Sequence, residues 1–343
     1  TPRLVLYHQT QFMPNGDYVS LLPLVQEHSA QPKPTPRTAI THIILAAIHL
    51  NANGTDGPRL NDDPYGSPRF SRLWEDVRIL QRVYGIKVLG MLGGACRGSF
   101  AALAEGLVID DNASSSTVDP DALFEARYAP LRDLISSTGI DGLDLDVEEP
   151  IPFLAIVRLI SRLKADFGDS FIITLAPVAT ALRFFPVGAS NRDEAMEILD
   201  PQEPQDRAVN LSGFNYFALE GLMGDLIDWY NVQFYCGWGN VVGTRDYDEM
   251  VQLRGWPAQK LVLGLATNPS VGGYAPPPGA DPRTRVWPHD AVLWQTLGTL
   301  RKRYAPSFGG VMGWEYFNAV TTTYEGDPSA GPWCWAKLMT DIL

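Results

Sequence analysis

Asp141-Gly-Leu-Asp144-Leu-Asp146-Val-Glu148-Glu149-Pro150 is the stretch on which the fold turns. Side chains along a β-strand alternate between its two faces. Leu143, Leu145 and Val147 therefore share one face, and Asp144, Asp146 and Glu148 share the other. The aliphatic face suits packing against helices. The acidic face must point inward, where three carboxylates are costly unless hydrogen-bonded, partly protonated or used in chemistry. A solvated acidic turn does not account for the strict alternation with Leu and Val. A calcium loop would set Gly and Asn or Ser between its ligands, not large aliphatics. A magnesium site stays open on the residues alone, although barrel sites of that kind gather ligands from several strands.

Working outward, short apolar β-rich runs recur on both sides. They are Arg3–Thr10, His42–Asn51, Lys87–Gly94, Gly142–Glu148, Phe171–Val178, Trp229–Tyr235, Leu261–Thr267 and Gly310–Phe317. Helical patterns lie between them. Leu73, Val77, Leu80 and Tyr84 keep a helical period, and Gly85 follows where a left-handed C-cap is expected. Ile156, Leu159, Leu163 and Phe167 repeat the pattern ahead of Gly168. Asp119 before Pro120 reads as an N-cap with proline at the first helical position.

Eight strands with helices between them predict an α/β fold, a (β/α)8 TIM barrel, as one catalytic domain over residues 1–343. A doubly wound open sheet is the alternative. It would carry a Gly-rich phosphate turn after the first strand, which here ends Tyr7-His8-Gln9-Thr10. Three long stretches, Pro14–Arg37, Ala179–Asn210 and Asn268–Pro288, read as loops at the barrel rim. Barrels of this type use their strand-end loops to build active sites.

Composition limits the function classes. Hydrophobic residues make up 45% and charged residues 19%, which is ordinary for a globular protein. Acidic residues outnumber basic ones by 39 to 27, a net charge of −12. That disfavours a nucleic-acid partner, which wants a basic stripe. No apolar run approaches the ~20 residues of a membrane span. Three cysteines, Cys96, Cys236 and Cys334, allow at most one bridge and form no metal-ligand spacing. The chain opens at Thr1 without a signal peptide, which fits a mature, processed chain or a trimmed one. Sequons at Asn53, Asn112 and Asn210 are compatible with a secretory route, so a secreted protein is expected.

Asp141-x-x-Asp144-x-Asp146-x-Glu148 resembles the DxxDxDxE signature of glycoside hydrolase family 18, the chitinases and endo-β-N-acetylglucosaminidases. The resemblance covers nearly the whole chain. It is nearest to the small fungal endo-β-N-acetylglucosaminidases, through Leu143–Pro150, Ile173–Ala179, Asp228–Tyr235 and Gly309–Asn318. It implies Glu148 as proton donor, Asp146 as the group that orients the substrate's 2-acetamide, and Asp144 as its neighbour in a shared titration. It implies that Tyr235 donates to the acetamide oxygen and that Trp314 floors the sugar site. Tyr7, Gln9 and Gln233 are implied substrate contacts. In one place the chain departs from the family. The third-strand Ser-x-Gly-Gly reads Met91-Leu92-Gly93-Gly94, which removes a hydroxyl near Asp144.

The resemblance implies hydrolysis of a β-1,4 bond beside N-acetylglucosamine, with no cofactor and no metal. The expected partner is an N-glycan or N-acetylglucosamine oligosaccharide, met by a monomer. A chitinase would use the same chemistry, and a non-catalytic lectin would use the same barrel but usually lacks the terminal glutamate. By themselves, Tyr235, Trp229, Trp333 and Trp335 read as packing residues, and only the motif lifts Tyr235 out of that group. His8 and His49 read as core residues, and Glu149 and Glu315 as structural.

Overall fold

The computed structural model describes residues 1–26, 37–50, 57–107, 119–324 and 330–343. The eight expected runs all form strands: β1 Arg3–His8, β2 His42–His49, β3 Lys87–Gly93, β4 Gly142–Asp146, β5 Ile172–Leu175, β6 Trp229–Gln233, β7 Leu261–Ala266 and β8 Gly310–Trp314. Each pairs in parallel with the next, and β8 returns to β1, so the sheet closes into a (β/α)8 barrel. No strand of such a cylinder has an open edge, and helices cover the outer side of the sheet.

The helical readings hold. Ser71–Tyr84 buries Leu73, Val77 and Leu80, and Gly85 caps it at φ 69°. Phe153–Phe167 buries Ile156, Leu159 and Leu163 before Gly168. Asp119 caps Pro120–Thr138 by accepting from Asp121 N. Among the described residues no helix is long and apolar enough to cross a membrane.

The stretch 179–210 corrects the loop reading. It carries three short helices, Ala179–Arg183, Arg192–Met196 and Pro204–Val209. Arg183 ties its first helix to Asp246 and Glu249. Helices of five or six residues span too few turns to show a period in sequence. Residues 27–36 of the first rim stretch, and the sequons at Asn53 and Asn112, lie outside the described residues. No disulfide joins Cys96, Cys236 and Cys334.

β4 sits beside β3 through a close backbone approach. Gly93 and Gly94 take φ of 94° and 86°, and Gly94 N donates to Asp146 O at 2.9 Å. A Cβ on Gly93 would stand 2.5 Å from that same oxygen. Glycine is required here both for the left-handed conformation and for the space.

Candidate active site

The acidic face of β4 points into the barrel. Asp144 reaches across to Tyr7 on β1, whose hydroxyl donates to Asp144 Oδ2 at 2.6 Å. Its other oxygen, Oδ1, accepts from Thr174 Oγ1 at 2.5 Å and Asn231 Nδ2 at 2.9 Å. Asp144 is fully buried, and burial pushes its pKa up while these three donors oppose the rise. Met91 lies in register beside it, so the hydroxyl missing from β3 is replaced by donors from β1, β5 and β6.

Asp146 lies two residues nearer the mouth. Gln233 Nε2 donates to Asp146 Oδ1 at 3.0 Å and to Ala176 O at 2.9 Å, and leans on Glu148 Oε1 at 3.4 Å. Burial pushes the Asp146 carboxyl well above its ordinary range, and the charges of Glu148 and Asp144 push it further. Glu148 is half-buried, and burial raises its pKa against Gln233 and the positive charge of Arg97. Asp146 and Glu148 therefore titrate as a pair, and the proton they share persists above the usual carboxylate range.

Both acids line a cleft of about 650 Å³ at the C-terminal mouth of the barrel, together with Gln9, Gln233, Tyr235 and Trp314. Tyr235 is buried, which with the neighbouring acids raises its pKa strongly, so its hydroxyl stays protonated. That hydroxyl has no partner among the described residues. It is a donor left over for a ligand. Asp146 and Glu148 are the only acids lining the cleft among the described residues, and they rise from one strand on one side.

One expectation is corrected. Tyr7 is 1% exposed, lies beneath the cleft without lining it and has its hydroxyl committed to Asp144, so here it holds an acid. Gln233 does line the cleft, but its amide nitrogen is committed to the acids, which leaves its carbonyl for a ligand. Glu149 and Glu315 are structural, as read. Glu149 accepts from Gly98 N and Phe100 N at the start of helix Ser99–Leu103. Glu315 accepts from Gln9 N, Thr10 N and Thr10 Oγ1.

His8 is fully buried with neither ring nitrogen paired, and burial lowers its pKa to about 3. His49 departs from the core reading in part, since it borders the cleft. The sequence reading passed over Thr174 and Asn231 beneath the acids, and Trp238, Cys96 and Cys236 in the cleft wall. Among the described residues no group of three or more His, Cys, Asp and Glu side chains is arranged to hold a metal ion.

Two solved structures are similar over the full chain. A fungal endo-β-N-acetylglucosaminidase from glycosyl hydrolase family 18 is 37% identical, with 100% of this chain and 98% of that one covered and a TM-score of 0.75. A chitinase from Aspergillus fumigatus is 39% identical, with 99% and 98% covered and a TM-score of 0.72. A chitinase from Cycas revoluta, solved in complex with an N-acetylglucosamine oligomer, is 16% identical with a TM-score of 0.55 over 99% of each chain, and shares the fold. No family model and no curated protein matches the chain.

Proposed function

The chain belongs to glycoside hydrolase family 18, and on that premise we propose that it is an endo-β-N-acetylglucosaminidase. It cleaves the β-1,4 bond of the N,N'-diacetylchitobiose core of N-linked glycans, with retention and with the substrate's acetamide as nucleophile. The observation that carries the substrate-assisted mechanism is the one-sided placement of the cleft acids Asp146 and Glu148. Most glycosidases set two carboxylates on opposite sides of the bond, whereas substrate-assisted enzymes need none on the far side.

Glu148, protonated because burial raises its pKa, gives its proton to the leaving oxygen. The acetamide carbonyl oxygen bonds to the anomeric carbon as the glycosidic bond breaks. Asp146 accepts the acetamide N–H and balances the charge of the oxazolinium ion. Tyr235 donates to the acetamide oxygen, and Trp314 packs under the ring. Glu148, now ionised, takes a proton from the water that opens the oxazolinium, and the second inversion restores the configuration. Asp144 stays below as a fixed neighbour whose charge keeps a proton on the pair above.

What supports an N-glycan over a linear polymer is the 37% relative, together with a short aromatic set in the cleft. A trough for chitin wants rows of exposed aromatics. Among the described residues the exposed large aromatics are Phe184 and Trp294, and neither lines the cleft. The second reading is a chitinase, favoured by the 39% relative. Digesting a high-mannose glycoprotein and chitin oligomers side by side tests the choice. Release of the glycan with one N-acetylglucosamine left on the protein supports the proposal. Cleavage of chitin oligomers alone supports the chitinase, and binding without cleavage of either supports a lectin.

A further inference from the structure

Trp229-Tyr230-Asn231-Val232-Gln233 forms β6, so Trp229, Asn231 and Gln233 share one face. Asn231 and Gln233 reach the acids of β4, and Trp229 therefore turns inward with them. In the sequence alone Trp229 is packing. Its ring is wedged between Arg3, whose guanidinium carbon stands 4.4 Å from the ring centroid, and His42, whose ring centroid lies 4.7 Å away. Arg3, His42 and Trp229 are the first residues of β1, β2 and β6. The wedge thus sits where the strands begin, at the end of the barrel remote from the cleft.

So held, Trp229 Nε1 donates to Asn231 Oδ1 at 2.9 Å. An indole N–H donates and never accepts. The Asn231 carbonyl oxygen is committed to Trp229, and the amide nitrogen must face the other way, where Nδ2 donates to Asp144 Oδ1 at 2.9 Å. Turned over, the amide would set N–H against N–H at Trp229 and oxygen against oxygen at Asp144. The other two donors to Asp144, Tyr7 and Thr174, are hydroxyls. A hydroxyl serves an ionised carboxyl as donor and a protonated one as acceptor. A fixed amide nitrogen only donates, so of the three partners Asn231 alone discriminates against the protonated acid.

We propose that Trp229 is a positioning residue for the reaction: by fixing the Asn231 amide from the far end of the barrel, it keeps Asp144 ionised beneath Asp146 and Glu148. Trp229 itself does not line the cleft. The inference rests on the reading of Asp144 as the charge that keeps a proton on the pair above, and it holds for an N-glycan or a chitin substrate alike. The titratable groups that face Asp144 are Tyr7, Tyr216, Tyr235 and Asp146. Burial keeps the three tyrosines protonated, and no cation is among them.

The test compares pH profiles of kcat/KM for the wild type, Trp229→Phe, Asn231→Leu and the double variant, with thermal melting as the check on folding. The substrate is whichever of a high-mannose glycoprotein and chitin oligomers the wild type cleaves. Trp229→Phe frees the amide to turn its oxygen toward a protonated Asp144. The negative charge below the pair is then lost, and Asp146 and Glu148 release their protons more readily. Both limbs of the profile should move to lower pH, with kcat/KM at the wild-type optimum down about tenfold. Asn231→Leu should do the same, and adding Trp229→Phe to it should move the limbs no further. If Trp229→Phe does not fold, an amino acid bearing benzothiophene in place of Trp229, which keeps the ring shape and lacks the N–H, carries the same comparison. A folded Trp229 variant whose limbs stay at the wild-type pH, or one that shifts them equally with and without Asn231, overturns the inference. If Asn231→Leu leaves the profile in place, or the wild type cleaves neither substrate, the reading of the acids fails and takes this inference with it.

Discussion

Tyr7 on β1 and Asp144 on β4 are 137 residues apart and joined by a 2.6 Å hydrogen bond through the middle of the barrel. The direction of the bond is fixed. Burial and the charge of Asp144 push the Tyr7 pKa well up, so the hydroxyl keeps its proton and donates. Asp144 is thereby held as an acceptor, and its charge raises the pKa of Asp146 above it. Tyr7→Phe keeps the ring beside Trp314 and removes one donor. We expect a stability loss of about 1.5–3 kcal/mol, the range for a bond to a charged group, and a lower kcat with KM nearly constant. Unfolding curves and steady-state kinetics check both; a changed KM at constant kcat would return Tyr7 to the substrate contacts.

Glu148→Gln keeps the shape of the side chain and removes its proton. Hydrolysis is expected to fall by about 10³-fold or more, while glycan binding stays near normal. Calorimetry with intact glycan beside an activity assay tests this, and substantial residual turnover would refute the assignment.

Asp146→Asn weakens the group that orients the acetamide. Hydrolysis should slow by about 10²-fold, yet a preformed sugar oxazoline should still serve as donor, since its ring is already closed. A folded variant inert toward the oxazoline would count against substrate assistance.

Gln233→Met removes the donor that favours the ionised forms of Asp146 and Glu148. Without it both carboxyl pKa values rise further. The alkaline limb, set by loss of the Glu148 proton, should move to higher pH, and the acid limb should move the same way with Asp146. A kcat/KM profile across the acid and neutral range reads this directly, and a shift toward lower pH contradicts it.

His8 titrates near 6.5 when exposed and near 3 when buried in the fold. Below pH 6.5 the unfolded chain takes up a proton that the native chain refuses, so stability present at neutral pH is lost as pH falls toward 3. The loss from this residue is about 3 kcal/mol by about pH 4. His8→Leu should flatten the stability–pH slope there by one proton. Equal slopes in variant and wild type would show that His8 opens to water before the chain unfolds.

The sequence carries the barrel because most strands are apolar runs of ordinary length between turn residues, and β4 carries its own inward face in the Asp/Leu alternation. Asn231 and Gln233 show the same two-residue spacing in Trp-Tyr-Asn-Val-Gln, so the partners of the acids were in principle legible. Which acid each would hold was not. That depends on register across the barrel, which strand-by-strand reading does not supply. Tyr7 differs for the same reason: it lies on the strand that reaches the cleft, one layer beneath the residues that line it.

The clamp of Glu315 on Gln9 and Thr10 has a consequence for the newborn chain. It spans 305 and 306 residues, and β8, just ahead of it, is the stave that seals the cylinder. A polypeptide still attached to the ribosome short of Gly310 holds all three acids but no Trp314 platform and no closed wall around them. Hydrolytic power should therefore arrive late and all at once, and prematurely terminated fragments should be inert toward the carbohydrate substrate.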